Sequence, residues 1–212
     1  PFKELSGAAI GFKLCQAMAE KRNLPKECLW PLLDLVAVSI ASDIVPIQGE
    51  NRILAYFGLK QLSTQPRPGL ATLLELGGLR PPVTISDIVF KVGPRINAAG
   101  RMNDARDAVR VLVGDAVGET IQHAEVLQQH NHDRRELDRN ITAEALAMVE
   151  ENESDKLSSV VYDPQWHKGV IGIVASRLIE HFYRPTIVMT SKDGIISGSA
   201  RSVKGFDIYE AI

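Results

Sequence analysis

The sequence has 212 residues, of which 45% are hydrophobic and 24% charged, with a formal net charge of −2 at pH 7. This balance is ordinary for a globular protein, and the length is enough for one large or two small domains. No apolar run reaches the ~18 residues that a membrane-spanning helix needs, so none is predicted. The only cysteines, Cys15 and Cys28, argue against a disulfide framework or a zinc ribbon and favour a reducing, cytoplasmic setting.

The small net charge conceals an uneven distribution of charged side chains. Residues 115–153 hold ten acidic and three basic side chains and so carry −7, which leaves +5 on the rest of the chain. A near-neutral protein can therefore still hold a basic patch suited to phosphate on one face.

The first 113 residues are predicted to be rich in helix. Ser6 begins the first helix, which ends near residues 21–23, ahead of a proline in the usual stop pattern. The apolar run at 30–40 predicts a buried helix, because its length and its leucine and alanine content favour helix over strand. Further helices are predicted at 50–62, 69–77, 86–91, 93–101 and 104–113.

Residues 116–152 form one long predicted helix, since they contain no proline and a single glycine near the start. Residues 128–136 are polar on every side, and a helix of that kind usually bridges domains through solvent. The histidines of this helix do not predict a metal site. His123 and His130 are too far apart to chelate one ion, and His132 points elsewhere.

From residue 157 the pattern changes to that of a small α/β domain. An amphipathic helix at 169–182 lies between the first two of three β-type runs, and a turn at 192–194 joins the last two. Strand, helix, strand and hairpin in this order make a small α/β layer. The predicted strands are 157–162, 185–190 and 195–200, and another helix is predicted to start near 205.

Residues 93–101 are the most informative stretch for function and read Gly-Pro-Arg-Ile-Asn-Ala-Ala-Gly-Arg. Arg95, Asn97 and Arg101 place two guanidinium groups and an amide within about two helical turns. The alanines and glycine between them carry almost no side chain, so a bulky partner can approach the backbone closely. A phosphate or a nucleic-acid strand fits this arrangement, whereas the alternative is a small-residue helix packed against a neighbour with arginine on its rim.

Two later segments also favour phosphate binding. His167 and Lys168 lie in a loop between a predicted strand and the glycine that opens the next helix, and residues at a helix N-terminus are well placed to meet phosphate. Ser199 and Arg201, which precede Ser202, alternate along a strand and therefore face the same side, where a hydroxyl and a guanidinium can clamp a phosphate. The alternatives are an ordinary surface loop and a solvated sheet edge.

Asp43 is a candidate metal ligand because it follows the buried run at 30–40 and precedes a Val-Pro step. A carboxylate at the mouth of an apolar element is costly unless it is paired or bound to a metal. Aspartate suits Mn²⁺ or Mg²⁺, which prefer hard oxygen ligands. A plain helix-end or turn carboxylate is the alternative.

Four segments in this order resemble the RecJ-type exonucleases of the DHH phosphoesterase superfamily, and the similarity runs from about residue 5 to the end of the sequence. The segments lie at 43–52, 93–101, 166–178 and 198–202. The resemblance implies an α/β fold with the C-terminal, helix-rich part of a DHH catalytic domain, a long connecting helix and the start of a substrate-binding DHHA1 domain. These parts correspond to residues 1–114, 115–154 and 155–212.

The resemblance also implies roles for single residues. Asp43 would be a ligand of a divalent metal centre holding Mn²⁺ or Mg²⁺. Arg95 and Arg101 would line the path of the single-stranded DNA substrate, and Ser199 and Arg201 would hold the 5′ phosphate end of that DNA. A two-metal centre uses several ligands around ions about 4 Å apart. The sequence has no Asp-His-His, Asp-x-Asp or Gly-Gly-His motif, so we expect a piece of a longer protein that is inactive alone.

The sequence therefore predicts part of a metal-dependent exonuclease that removes nucleotides 5′ to 3′ from single-stranded DNA in repair and recombination. One alternative is a non-catalytic nucleic-acid-binding or scaffold member of the superfamily, and Asp43 argues mildly against it. Another is a phosphodiesterase of oligonucleotides or cyclic dinucleotides, and the segment at 93–101 argues against that. The oligomeric state, the natural DNA structure and protein partners are not predicted.

Overall fold

A computed structural model describes residues 2–152 and 156–212 of the chain. They form two compact units, which we name unit 1 (Pro1–Ala99 and Asp104–Asn131) and unit 2 (Gly100–Asn103 and His132–Ile212). Within the described residues, no helix combines the length and the apolar character that crossing a membrane requires.

Unit 1 is helical, as the sequence predicts. Ser6 caps the first helix, and its hydroxyl accepts a hydrogen bond from the Ala9 N–H at 3.4 Å. Along the chain follow α1 (Gly7–Lys21), a 3₁₀ segment (Lys26–Leu32), α2 (Leu33–Ser42), α3 (Gly49–Thr64), α4 (Pro68–Leu76), α5 (Ile85–Asp87), a π-helical turn (Ile88–Val92), α6 (Gly93–Met102), α7 (Arg106–Val113) and the first part of α8 (Val117–Asn152).

Two local features differ from the sequence prediction. The helix predicted over 30–40 becomes α-helical only at Leu33, because Pro31 has no N–H to donate and lies in the preceding 3₁₀ segment. The helix predicted over 86–91 contains a π-helical turn that runs directly into α6. Such wide turns occur mostly as single insertions, frequently at functional sites.

A buried ion pair, which the sequence pattern does not indicate, joins three of these helices. Asp34 on α2 is 1% exposed and accepts hydrogen bonds from the Nε, the Nη2 and the backbone N–H of Arg67, which precedes α4. Arg67 also donates to the carbonyl oxygens of Pro31 and Leu112. Because every polar atom of this pair has a partner, the carboxylate is tolerated in an otherwise apolar core.

We expect Arg67→Met to lower the free energy of unfolding by about 3–5 kcal/mol, because it leaves the buried Asp34 carboxylate without its cation. Urea denaturation of the purified protein measures this change. The double variant Asp34→Leu, Arg67→Met is the control and should recover most of the loss, since no buried charge remains. A single variant as stable as the wild type would contradict the structural role of the pair.

Unit 2 is a small α/β layer, as the sequence predicts. It contains the last part of α8, β1 (Ser159–Tyr162), α9 (Ile171–Phe182), β2 (Thr186–Lys192), β3 (Ile195–Arg201) and α10 (Ile208–Ala211). The strands lie in the order β1-β2-β3, with β1 parallel to β2 and β2 antiparallel to β3. Helix α9 thus connects two parallel strands, and its apolar side packs into a core that includes Val161, Trp166, Val174, Leu178 and Val188.

The long helix α8 contributes residues to both units, which divide at residues 131 and 132. The expectation that its polar middle is surrounded by solvent holds only in part, because four of the nine residues at 128–136 are exposed whereas Asn131 is only 5% exposed. Six residues beyond the division, Asp138 is 4% exposed and forms a two-point ion pair with Arg177 of α9, at 2.8 Å for each bond. The polar side chains of this helix therefore pack and pair, which periodicity alone does not reveal.

Candidate nucleic-acid interface

Unit 2 contains a cleft of about 990 Å³ that brings several of the predicted site residues together. Four of the described residues that line it are cationic and none is acidic, so the cleft suits an anion. Its walls come from the end of α6, the loop before α9, the first turn of α9 and the ends of β2 and β3. The residues with polar side chains are Arg101, Asn103, Gln165, Trp166, His167, Lys168, Thr190, Ser191, Lys192, Ser199 and Arg201.

The cleft is shaped by a close approach of two backbones. A Cβ placed on Gly169, just before α9, would lie 2.0 Å from the carbonyl oxygen of Arg101. No side chain fits in that space, so only glycine allows the loop to meet the end of α6. In the same place the Arg101 Nη1 lies 3.4 Å from the Gly169 carbonyl oxygen, while most of the side chain stays exposed.

Ser199 and Arg201 lie side by side, as their alternation along β3 predicts. Arg201 Nη1 donates to Ser199 Oγ at 3.1 Å and to the Ala200 carbonyl oxygen at 2.8 Å. Arg201 Nε donates to Ser176 Oγ on α9 at 3.2 Å. The guanidinium is therefore held by two elements of unit 2, and its Nη2 has no hydrogen-bond acceptor among the described residues.

His167 and Lys168 occupy the turn that precedes α9. The Gly169 N–H donates to His167 Nδ1 at 3.1 Å, so the proton of the neutral imidazole is assigned to Nε2. The His167 carbonyl oxygen accepts from the Val170 N–H at 2.9 Å, which fixes the loop at the helix start. Lys168 is exposed and lines the cleft.

Three of the predicted DNA-binding residues lie outside the cleft. The Ser202 hydroxyl donates to the Phe206 carbonyl oxygen in the turn after β3, and Ser202 does not line the cleft. Arg95 and Asn97 belong to unit 1. Asn97 is exposed on α6, whereas the Arg95 guanidinium donates to Gln128 Oε1 at 2.6 Å, to the Leu76 carbonyl oxygen at 3.1 Å and to the Lys91 carbonyl oxygen. Arg95 thus has an internal structural role that its place in the motif does not indicate.

Asp43 is exposed at the end of α2, and its Oδ2 accepts a hydrogen bond from Ser39 Oγ at 3.0 Å. This geometry suits a hard cation, since Oδ1 can serve as a ligand while Oδ2 stays oriented. The described residues contain no group of three or more histidine, cysteine or acidic side chains that could hold a metal ion. Asp43 could therefore supply only one of the several ligands that a two-metal centre needs.

Two features of the cleft escape sequence reasoning. Lys192, at the end of β2, belongs to no motif, and Ser176, which accepts a hydrogen bond from Arg201, lies within the segment 166–178 but was assigned no role. The spacing of Ser176 four residues after Gly172 on α9 is the signal that could have indicated a shared face. Near Arg101, burial lowers the pKa of the Arg134 guanidinium, and the charges of Arg101 and Arg177 lower it further, whereas Asp138 opposes this effect. Several arginines of unit 2 therefore lie close enough to influence one another, although α8 as a whole is acidic.

Comparison with known proteins agrees with this geometry. Residues 142–212 match the family model of the DHHA1 domain. The whole chain is 40% identical to the single-stranded-DNA-specific exonuclease RecJ of Bacillus subtilis and 38% identical to that of Salmonella typhimurium. It spans 27% and 40% of the length of these two relatives.

Solved structures give the same result. The crystal structure of RecJ from Thermus thermophilus in complex with Mg²⁺ aligns with a TM-score of 0.86 and 31% identity, over 97% of this chain and 32% of that one. A crystal structure of exonuclease RecJ bound to manganese aligns with a TM-score of 0.87 and 31% identity, over 99% of this chain and 52% of that one.

The C-terminal third of the chain is thus similar to the DHHA1 domain, and this part contains most of the cleft. Over its full length the chain is similar to RecJ exonucleases, which confirms the resemblance that the four sequence segments indicate.

We expect Gly169→Ala to destabilise unit 2 by about 1–3 kcal/mol, because the added methyl group collides with the Arg101 carbonyl oxygen and forces the backbone to shift. The matched control is Gly118→Ala, since a Cβ at Gly118 meets nothing within 4 Å. That control should be neutral or slightly stabilising within a helix. Thermal unfolding of both variants makes the comparison, and equal behaviour would contradict the close backbone approach.

Proposed function

We propose that this chain is part of a RecJ-like exonuclease that degrades single-stranded DNA, and that the cleft of unit 2 binds phosphates at the 5′ end of the strand. The observation that carries this proposal is the pairing of Ser199 and Arg201 on β3, opposite α9, in a cleft with four cations. The similarity to RecJ exonucleases supports it.

The cleft suits a terminal phosphate because its principal cation is fixed before the ligand arrives. Three hydrogen bonds hold Arg201 through Nε and Nη1, which leaves Nη2 without an acceptor among the described residues. An arginine fixed in this way loses little side-chain entropy on binding, and an Arg–phosphate pair is a strong charge-assisted contact. Lys168 and the His167 Nε2–H offer two more donors at the start of α9.

Arg101 has a different function in the proposal. Its guanidinium is exposed and makes one long contact within the described residues, with the Gly169 carbonyl oxygen at 3.4 Å. It is therefore free to follow the phosphates of successive nucleotides, which adds affinity without regard to sequence.

The proposed chemistry is 5′-to-3′ hydrolysis supported by Mn²⁺ or Mg²⁺, since solved RecJ structures were bound to these ions. Asp43 is the proposed ligand from this chain, and the bound metal would supply a water activated for attack on the phosphodiester. The residues of the chain described above bind and orient the strand. We place this activity in cytoplasmic DNA repair and recombination.

We expect Arg201→Ala, in the intact protein, to weaken binding of 5′-phosphorylated single strands more than that of 5′-hydroxyl strands. Losing the contact should cost on the order of 1–3 kcal/mol, as for hydrogen bonds to charged groups. Arg101→Ala should weaken both substrates equally and reduce the salt dependence of binding, because it contacts internal phosphates. Titration of both oligonucleotides at two salt concentrations measures these differences.

The control for that titration is Arg139→Ala, which removes an exposed arginine of α8 that lies outside the cleft. It should leave the preference for a 5′ phosphate unchanged. If Arg201→Ala affects both ends equally, Ser199 and Arg201 form an ordinary sheet edge and the proposed site is wrong.

We expect Asp43→Asn to abolish Mn²⁺-dependent digestion of single-stranded DNA by the intact protein while leaving strand affinity nearly unchanged. The loss should exceed the 10- to 100-fold effect typical of residues that only support a metal ligand. Turnover assays together with a Mn²⁺ binding titration provide the measurement, with the exposed Asp115→Asn as the control. Normal metal binding and turnover in Asp43→Asn would rule out a ligand role.

A further inference from the structure

Phe90 is the most exposed phenylalanine among the described residues, with 77% of its surface accessible. Burying a side chain of this kind stabilises a protein, and this position forgoes that stabilisation. Single exposed apolar residues are common, so exposure alone means little. The local structure around Phe90 makes its exposure informative.

Phe90 lies at the centre of the π-helical turn Ile88–Val92. The two ends of that turn are anchored in the core of unit 1, since Ile88 is 0% and Val92 is 1% exposed. Because the ends point inward, the middle of the turn faces outward, and the aromatic ring is held on a rigid base. A flexible loop would not fix the orientation of the ring in this way.

Arg95 holds this turn in place. Its guanidinium donates to the Lys91 carbonyl oxygen within the turn and, from the same group, to the Leu76 carbonyl oxygen at the end of α4 and to Gln128 of α8. The arginine thus links the turn to the end of α4 and to α8. The arginine of the Gly-Pro-Arg motif therefore acts as a positioning residue for the turn that carries Phe90.

The turn runs without a break into α6, which presents Asn97 on its exposed surface. Asn97 follows Phe90 by seven residues, which is about 10 Å further along this continuous helical segment. Pro94, four residues after Phe90, lies between them and is partly exposed. This segment of unit 1 thus exposes an aromatic ring, the neighbouring ammonium group of Lys91 and an amide.

We propose that Phe90 stacks on an unpaired base of the single-stranded substrate. This inference rests on the proposed function and adds a contact to the bases, whereas the cleft of unit 2 contacts phosphate. An aromatic platform suits a sequence-tolerant enzyme because every base has a π face. Lys91 and Asn97 supply polar contacts to the backbone on either side of the stacked base.

The test measures binding of single-stranded oligonucleotides by the intact protein with Phe90→Leu, which keeps an apolar side chain but removes the ring. Affinity should fall by about 5- to 150-fold, as for the loss of one aromatic–base stack. A series of oligonucleotides, each with one abasic site, provides the second arm. When the abasic position faces residue 90, wild type and Phe90→Leu should bind equally well, because no base remains to stack.

Phe90→Trp supplies a direct readout, since it keeps an aromatic face. It should bind single strands at least as tightly as the wild type, and its fluorescence should be quenched on binding by more than that of the wild type. The matched control is Tyr56→Leu, which removes an aromatic ring that is 66% exposed on α3 and should leave affinity unchanged.

The outcomes separate the two proposals. If wild type does not bind single strands, the proposed function fails and this inference fails with it. If wild type binds but Phe90→Leu loses the same affinity on intact strands and on every abasic strand, only the stacking inference is overturned. A lowered melting temperature in that case would identify Phe90 as a packing residue.

Discussion

The contact between Gly169 and the Arg101 backbone is the constraint on which the geometry of the cleft depends. It joins two main-chain segments 68 residues apart, so the start of α9 and the end of α6 are fixed relative to each other without any side-chain torsion. Gly172, one helical turn further on, leaves room for Ser199 and Arg201, whose atoms lie 3.2 and 3.3 Å from where a Cβ would be. Two glycines thus let a helix start, a strand and a cationic loop meet around one space.

The arginines of this chain have two physical roles, and burial distinguishes them. Arg67 and Arg95 satisfy buried or half-buried acceptors, and each donates to three or more protein groups. Arg101 and Arg201 are exposed and line the cleft, with hydrogen-bonding capacity that the protein does not use fully. Those in the first group stabilise the fold, because removing one leaves acceptors or a carboxylate unpaired. Those in the second group remain available to a ligand.

Much of the fold could be predicted from the sequence because it depends on local periodicity. The cap at Ser6 with the proline after residues 21–23, the alternation along β3 and the proline-free length of α8 each determine an element without help from the rest of the chain. The adjacency of Ser199 and Arg201 follows from the same alternation.

The parts that could not be predicted depend on partners far away in the sequence. The internal role of Arg95 requires the positions of Leu76 and Gln128, and the pairing of Asp34 requires Arg67, 33 residues later. Ser202 lies outside the cleft, and its hydroxyl donates to the Phe206 carbonyl oxygen in the turn after β3. The π-helical turn is likewise set by tertiary packing, since Ile88 and Val92 must both reach the core of unit 1.

Protein contacts to the phosphate groups and protein contacts to the face of a base differ in which nucleic acids they can select. The proposed phosphate contacts through Arg101, Lys168 and Arg201 would be available to any nucleic acid and would supply affinity that falls with salt. A stacking contact at Phe90 needs a base whose face is not already covered by its neighbours, which a paired and stacked duplex does not offer. Neither contact reads a donor or acceptor pattern on a base edge, so neither favours one base over another. A chain built from these two kinds of contact would therefore bind strands independently of sequence, with the preference for unpaired DNA arising at the aromatic ring and not at the cations.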